Sequence, residues 1–175
     1  MKTLVLIPTY NEKENIERMI RKVFSLSVPI DILIVDDGSP DGTASIVKGL
    51  MSEFPNRLFI EERKGKLGLG TAYIAGFKWA LAKDYEYIFE MDADFSHDPA
   101  IIGQMIDQLN NSFDSVIGSR YVEGGSIVGW PLHRRFLSRY GNFYTRFVLG
   151  LSPRDCTSGF RGYRATTLSS IDLSS

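Results

Sequence analysis

Residues 3–35, "TLVLIPTYNEKENIERMIRKVFSLSVPIDILIV", decide the fold, because two apolar runs flank a charged and periodic stretch. "TLVLIP" (3–8) has the length and β-branching of a buried strand. "ENIERMIRKVFSL" (14–26) sets Ile16, Met19, Ile20, Val23 and Phe24 at helical spacing, and "IDILIV" (30–35) returns to strand. The same alternation runs on. Asp41 is placed to cap a helix over "GTASIVKGLM" (42–51), and "RLFIEE" (57–62) is a third strand followed by the helix "GTAYIAGFKWALA" (70–82). "YEYIFEM" (85–91) is a fourth strand, "PAIIGQMIDQL" (99–109) a helix with proline in its first turn, and "DSVIGS" (114–119) a fifth strand. Strands alternating with helices of this length predict an α/β fold, a mostly parallel sheet with helices on both faces.

Beyond residue 120 the alternation fails. "EGGSIVGWP" (123–131) reads as a glycine-rich loop and "LHRRFLSRYGNFYTRFVLGL" (132–151) as a helix mixing aromatics with arginines. "DCTSGFRGYRA" (155–165) can supply a further strand. The 175 residues suffice for one domain, and the expectation is a single catalytic domain over 1–175 that lacks its C-terminal part.

The net charge of −1 points to no particular partner and gives no sign of nucleic acid, but the charge is unevenly spread. Residues 131–164 hold seven arginines (134, 135, 139, 146, 154, 161 and 164) against Asp155 alone, while the acidic residues crowd the front. This division suggests a bound cation in one place and a bound anion in another. Cys156 stands alone, so no internal disulfide is possible and a reducing, cytoplasmic setting is expected. No apolar run is long enough to span a bilayer, which leaves peripheral attachment to a membrane surface open.

In parallel sheets ligands bind beyond the carboxyl ends of the strands, so the residues that end them matter most. These are "PTYNE", "DDGSPDG", "DADFSHD" and "SRY". In Asp92-Ala93-Asp94, carboxylates at i and i+2 of a strand end share a face and repel unless a divalent cation joins them. Oxygen-only ligands favour Mg²⁺ or Mn²⁺. An Asx-type turn is the alternative, and Asp98 fits it as the cap of the helix at Pro99, whereas Asp92 and Asp94 lie too early to cap anything. Asp36-Asp37 closes the second strand, where a carboxylate commonly accepts from a ribose or base, within a turn shaped by Gly38, Pro40 and Gly42. "GLG" (68–70) stops short of a dinucleotide loop because Tyr73 fills the third glycine slot. His97 and His133 have no paired ligand at metal spacing and are given no catalytic role.

Taken in order, "LIPTYNEKENI", "ILIVDDGSPDGTASIV", "GKLGLGTAYIAGF", "MDADFSHDP", "IGSRYVEGG" and "GWPLHRRFLSRYGNFYTRFVLGL" resemble the polyprenyl-phosphate (dolichol-phosphate) mannosyltransferase group of glycosyltransferase family 2, from about Thr3 to Arg164. The resemblance implies a GT-A nucleotide-diphospho-sugar transferase fold and metal-dependent, inverting transfer of mannose from GDP-mannose to a polyprenyl (dolichyl) phosphate. The alternative is the same mechanism with another nucleotide sugar, such as UDP-glucose, or another acceptor. It also implies roles for residues. Pro8, Tyr10, Glu12, Val35, Asp37, Asp92, Ala93, Asp94 and Arg120 match nucleotide-sugar ligands, with Asp92 and Asp94 on the metal and Asp94 and Arg120 at the catalytic centre. Arg120, Arg134 and Ser138 match the acceptor-phosphate site. Ser96 stands where some members carry an amide metal ligand, and the sequence does not reach the later arginine and lysine segment of the family.

Two other classes fit less well. A sugar-1-phosphate nucleotidylyltransferase wants a G-x-G-x-R loop after the first strand, where this chain has "PTYNE". A phospho-accepting receiver built on Asp36-Asp37 has no need of Asp92-Ala93-Asp94 or of the arginine-rich stretch.

Overall fold

A computed structural model describes residues 2–119, 140, 141, 144, 148, 150, 155 and 157–173. The first half follows the expected alternation: β1 (Thr3–Thr9), α1 (Ile16–Phe24), β2 (Ile30–Asp36), α2 (Thr43–Leu50), β3 (Leu58–Glu62), α3 (Leu69–Leu81) and β4 (Tyr87–Glu90). A 3₁₀ turn (Pro99–Ile101) leads into α4 (Ile102–Asn110), followed by β5 (Ser115–Ile117), β6 (Arg161–Arg164) and α5 (Ala165–Ser169). The loop over 123–131 lies outside the described residues, as does most of the helix over 132–151, of which Tyr140, Gly141, Tyr144 and Val148 are helical.

The sheet order is β3-β2-β1-β4-β6-β5. β1 to β4 pair in parallel, with Thr3 opposite both Ile30 and Tyr87. β6 is antiparallel and lies between β4 and β5, an insertion that periodicity alone does not reveal. The chain moves outward from β1 to β3 and then returns to the far side of β1 as β4. The topological switch point therefore falls between the carboxyl ends of β1 and β4, where a ligand crevice is expected.

Strand alternation divides the core in two. Val5 and Ile7 face Ile16, Met19, Ile20 and Val23 of α1, together with α2 and α4. Leu4 and Leu6 face Ala72, Tyr73, Phe77 and Ala80 of α3, together with Leu168 of α5. Contact between α3 and β1 is close enough that a Cβ on Gly76 would stand 2.4 Å from the Leu6 side chain.

Several boundaries differ from the sequence reading for local reasons. α1 starts at Ile16 because the Glu12 carbonyl already accepts from Asn15 and Ile16 in a turn. α2 starts at Thr43 because Gly42 is in the left-handed region, φ 94°; Asp41 Oδ1 still accepts from the Thr43 N–H. β4 ends at Glu90, so neither Asp92 nor Asp94 lies on a strand and the shared-face argument from strand alternation does not apply to them.

Candidate active site

The loop after β1 is held by the loop after β2. Asp36, 1% exposed, accepts from the Thr9 hydroxyl (2.8 Å), the Ser39 N–H (2.8 Å) and the Ser39 hydroxyl (2.6 Å). Ser39 Oγ accepts from the Asn11 N–H, Thr43 Oγ1 from the Glu12 N–H, and Asp41 Oδ2 from the Lys13 N–H, at 3.0–3.1 Å. Three successive amide groups that no strand or helix could satisfy are thus satisfied by three side chains of "DGSPDGT". Asp36 is structural, and this leaves Tyr10, Glu12 and Asp37 to face the crevice.

That crevice has a volume of about 250 Å³ and is lined by Pro8, Thr9, Tyr10, Glu12, Asp37, Lys66, Gly68, Leu69, Ala72, Asp92, Ala93 and Asp94. It opens at the switch point, between the loops after β1, β2 and β4 and the start of α3. Seven residues expected to bind the nucleotide sugar converge on it: Pro8, Tyr10, Glu12, Asp37, Asp92, Ala93 and Asp94. Val35 does not line it; its side chain is fully buried with Leu4, Leu6 and Leu33, and its backbone pairs with Pro8. Arg120, Arg134 and Ser138 lie outside the described residues.

Other residues at the crevice carry no motif. The Lys66 ammonium sits 4.5 Å from the centre of the Tyr10 ring. Arg63 approaches Asp37 Oδ1 at 3.3 Å and donates to Thr71 through Nη2, while Asp37 Oδ2 accepts from the Leu67 N–H. The ion-pair angle is too poor for a hydrogen bond, so Asp37 Oδ1 and Arg63 Nη1 are buried without hydrogen-bond partners among the described residues. Only the three-dimensional fold joins Arg63 to Asp37; no spacing rule does.

At the other end of the crevice the carboxylates crowd. Asp94 Oδ1 accepts from the Ser96 N–H at 2.9 Å and Asp98 Oδ1 from the Ala100 N–H at 3.0 Å. Asp98 is the expected cap. Asp94 makes an Asx-type turn of its own, where Phe95 takes a left-handed conformation (φ 60°), but it caps no helix, as expected from its position. Asp92 is mostly buried and its Oδ1 accepts from the Tyr73 hydroxyl at 3.3 Å. Burial first, and then the charge of Asp94, raises the Asp92 carboxyl above its ordinary pKa.

Beneath Asp92 lies a second buried carboxylate that the sequence reading missed. Glu90 accepts from the Tyr163 hydroxyl at 3.2 Å and faces Arg161 at 3.6 Å. Burial pushes its pKa up to about 7 against the opposing pull of Arg161. A carboxylate ending the apolar run "YEYIFE" was the available signal. His97 is 9% exposed with its ring 5.4 Å from Phe160.

The arrangement fits a divalent cation. Two adjacent carboxylates line one wall, Glu12 and Asp37 add negative charge, and Lys66 is the one basic residue in the lining. Among the described residues no third His, Cys, Asp or Glu completes a protein cage. A pair of carboxylates with open positions suits an ion that takes its other ligands from water and phosphate oxygens.

A switch-point crevice in a mostly parallel sheet, with an acidic pair at one end and the Asp37 carboxylate at the other, defines a nucleotide-diphospho-sugar transferase fold of the GT-A type. The chain belongs to glycosyl transferase family 2, which it matches over residues 4–171. It is 46% identical over 173 residues to the polyprenol monophosphomannose synthase of Mycolicibacterium smegmatis, covering 99% of this chain and 65% of that protein. It is 43% identical to the undecaprenyl-phosphate mannosyltransferase of Micrococcus luteus, covering 99% of this chain and 70% of that one. With the dolichol-phosphate mannosyltransferase of Pyrococcus furiosus, at 35% identity, it spans 49% of the relative's length. Among solved structures, the Pyrobaculum calidifontis mannosyltransferase PcManGT, in complex with GDP-Man and Mn²⁺, superposes with a TM-score of 0.67. That likeness covers 99% of this chain and 48% of that one at 19% identity, and shows the fold alone.

Proposed function

We propose that the chain is the catalytic domain of a metal-dependent inverting transferase that moves mannose from GDP-mannose to a polyprenyl phosphate. The observation that carries this reading is the convergence of Tyr10, Glu12, Asp37, Asp92 and Asp94 on one crevice. It is supported by relatives at 43% and 46% identity whose names specify transfer or synthesis on such lipids.

In this reading Tyr10, Glu12 and Asp37 bind the nucleoside, and Arg63, 3.3 Å from Asp37 Oδ1, helps to hold that carboxylate in place. Asp92 and Asp94 hold Mg²⁺ or Mn²⁺, which when bound supplies Lewis-acid stabilisation of the departing nucleoside diphosphate. The attacking atom is a phosphate oxygen of the lipid. A phosphate monoester has a second pKa of about 6 and is already anionic near neutrality, so the site needs no strong general base. It needs positive charge to orient the acceptor, a role proposed for Arg120 and Arg134, with the Ser138 hydroxyl as a further hydrogen-bond donor to the phosphate. No helix among the described residues is long and apolar enough to cross a membrane. The acceptor is therefore proposed to be met at a membrane surface.

Calorimetric titration with GDP-mannose and UDP-glucose, each with Mn²⁺ and with chelator, tests the reading. Metal-dependent binding of the guanosine ligand alone is expected. Preference for the uridine ligand would change the donor and keep the mechanism, whereas metal-independent binding would overturn the role of Asp92 and Asp94.

A further inference from the structure

Tyr73 is the residue that spoils the dinucleotide-loop pattern, and the fold gives it a different place. It lies one turn into α3, 9% exposed, with its ring 6.2 Å from Phe77 and its hydroxyl on Asp92 Oδ1. On the other side of the carboxylate, Asp92 Oδ2 lies 2.9 Å from where a Cβ on Gly159 would stand. Asp92 is therefore hydrogen-bonded at one oxygen and closely flanked by backbone at the other. The Tyr73 hydroxyl occupies Oδ1, and the bare Cα of Gly159 lets Oδ2 settle against the segment that precedes β6.

We infer that Tyr73 is a positioning residue that sets which divalent cation the site accepts, by preventing Asp92 from offering both carboxylate oxygens to one ion. The inference rests on the proposed role of Asp92 as a metal ligand. Small octahedral ions such as Mg²⁺ are satisfied by one oxygen from each carboxylate, and Ca²⁺ often takes a carboxylate through both. Rotating Asp92 to a two-oxygen grip would break the Tyr73 bond and leave a buried hydroxyl unpaired. The neighbouring Tyr163 hydroxyl has a similar burial but serves Glu90 instead, and so provides an internal control.

The test is Mn²⁺ binding to the chain with GDP, followed by electron paramagnetic resonance, with Ca²⁺ as competitor. It compares the wild type, Tyr73→Phe and Tyr163→Phe; both variants keep the ring and its packing. Loss of a group supporting a metal ligand commonly costs about 10-fold or more in affinity. Tyr73→Phe is expected to weaken Mn²⁺ by about that factor and to lower the Ca²⁺-to-Mn²⁺ ratio of dissociation constants at least as much, while Tyr163→Phe leaves the ratio at the wild-type value. An unchanged ratio in Tyr73→Phe, or an equal shift in both variants, would overturn the inference and leave the proposed function standing. A wild-type chain that binds no Mn²⁺ with GDP would overturn both.

Discussion

The two ends of the crevice are built by opposite means. At the nucleoside end, side chains of the β2 loop satisfy backbone amides of the β1 loop, and Asp36 is saturated by three bonds. At the end proposed to hold the metal, side chains meet side chains: Tyr73 donates to Asp92, Tyr163 donates to Glu90, and Arg161 lies 3.6 Å from Glu90. The loops of the first end are tied to one another without a ligand. The second gathers buried Glu90, half-buried Asp92 and exposed Asp94 with their charges only partly offset, which the two less exposed carboxylates tolerate poorly. A rigid end that selects and a charged end that reacts is a division suited to holding a nucleotide while its diphosphate departs.

The sharpest way to break this contrast is at Asp94. Asp94→Asn keeps the shape of the side chain but removes the charge, and is expected to lower kcat/KM for mannosyl transfer by about a thousandfold, ~4 kcal/mol of transition-state stabilisation, with an unaltered circular dichroism spectrum. Retained activity would remove Asp94 from the chemistry. Asp36→Ala should do the reverse. It strands the buried Thr9 hydroxyl and the half-buried Ser39 hydroxyl and N–H, and is expected to cost about 3 kcal/mol in urea unfolding.

A smaller effect separates the ends by ligand. With GDP present, Mn²⁺ at about a hundred times its dissociation constant should stabilise the wild-type chain by ~2.7 kcal/mol. Asp92→Asn should abolish that gain in a thermal melt, and Asp36→Ala should keep it on a lower baseline. The smallest expected change is at Thr43, whose buried hydroxyl accepts from the Glu12 N–H and donates to Asp41. Thr43→Val should cost about 1–2 kcal/mol and weaken GDP binding more than Mn²⁺ binding.

Much of this was legible in the sequence for physical reasons. The apolar runs and the period-3.6 stretches before residue 117 fix their own elements, because the strands are buried on both faces and each helix buries one face against the sheet. Asp92 and Asp94 are recognisable because like charges this close need a reason. What the sequence hides depends on distant pairing. β6 takes its place between β4 and β5 through a ladder to Tyr87–Glu90, which no local pattern encodes. Arg63 meets Asp37 only once β3 lies beside β2. The turn at Asp94 was missed because it depends on a left-handed Phe95, a conformation that an aromatic residue does not advertise.

The inserted strand also bears on how the chain reaches this structure during synthesis. β5 has its ladder to β6, and β4 is bounded on that side by β6 as well, so neither edge is closed until Arg161–Arg164 have left the ribosome. Until then β4 is an open edge, able to pair with another chain, and Asp92 lacks the Gly159 segment that flanks it. Pairing β2 with β1 and β3 with β2 closes short loops, whereas β4 onto β1 and β6 onto β4 both close long ones, and β6 comes last because its residues are made last. The nascent chain would thus finish the nucleoside end first and its acidic end last, so a chain stalled before Arg161 would fail at the metal site before it failed as a fold.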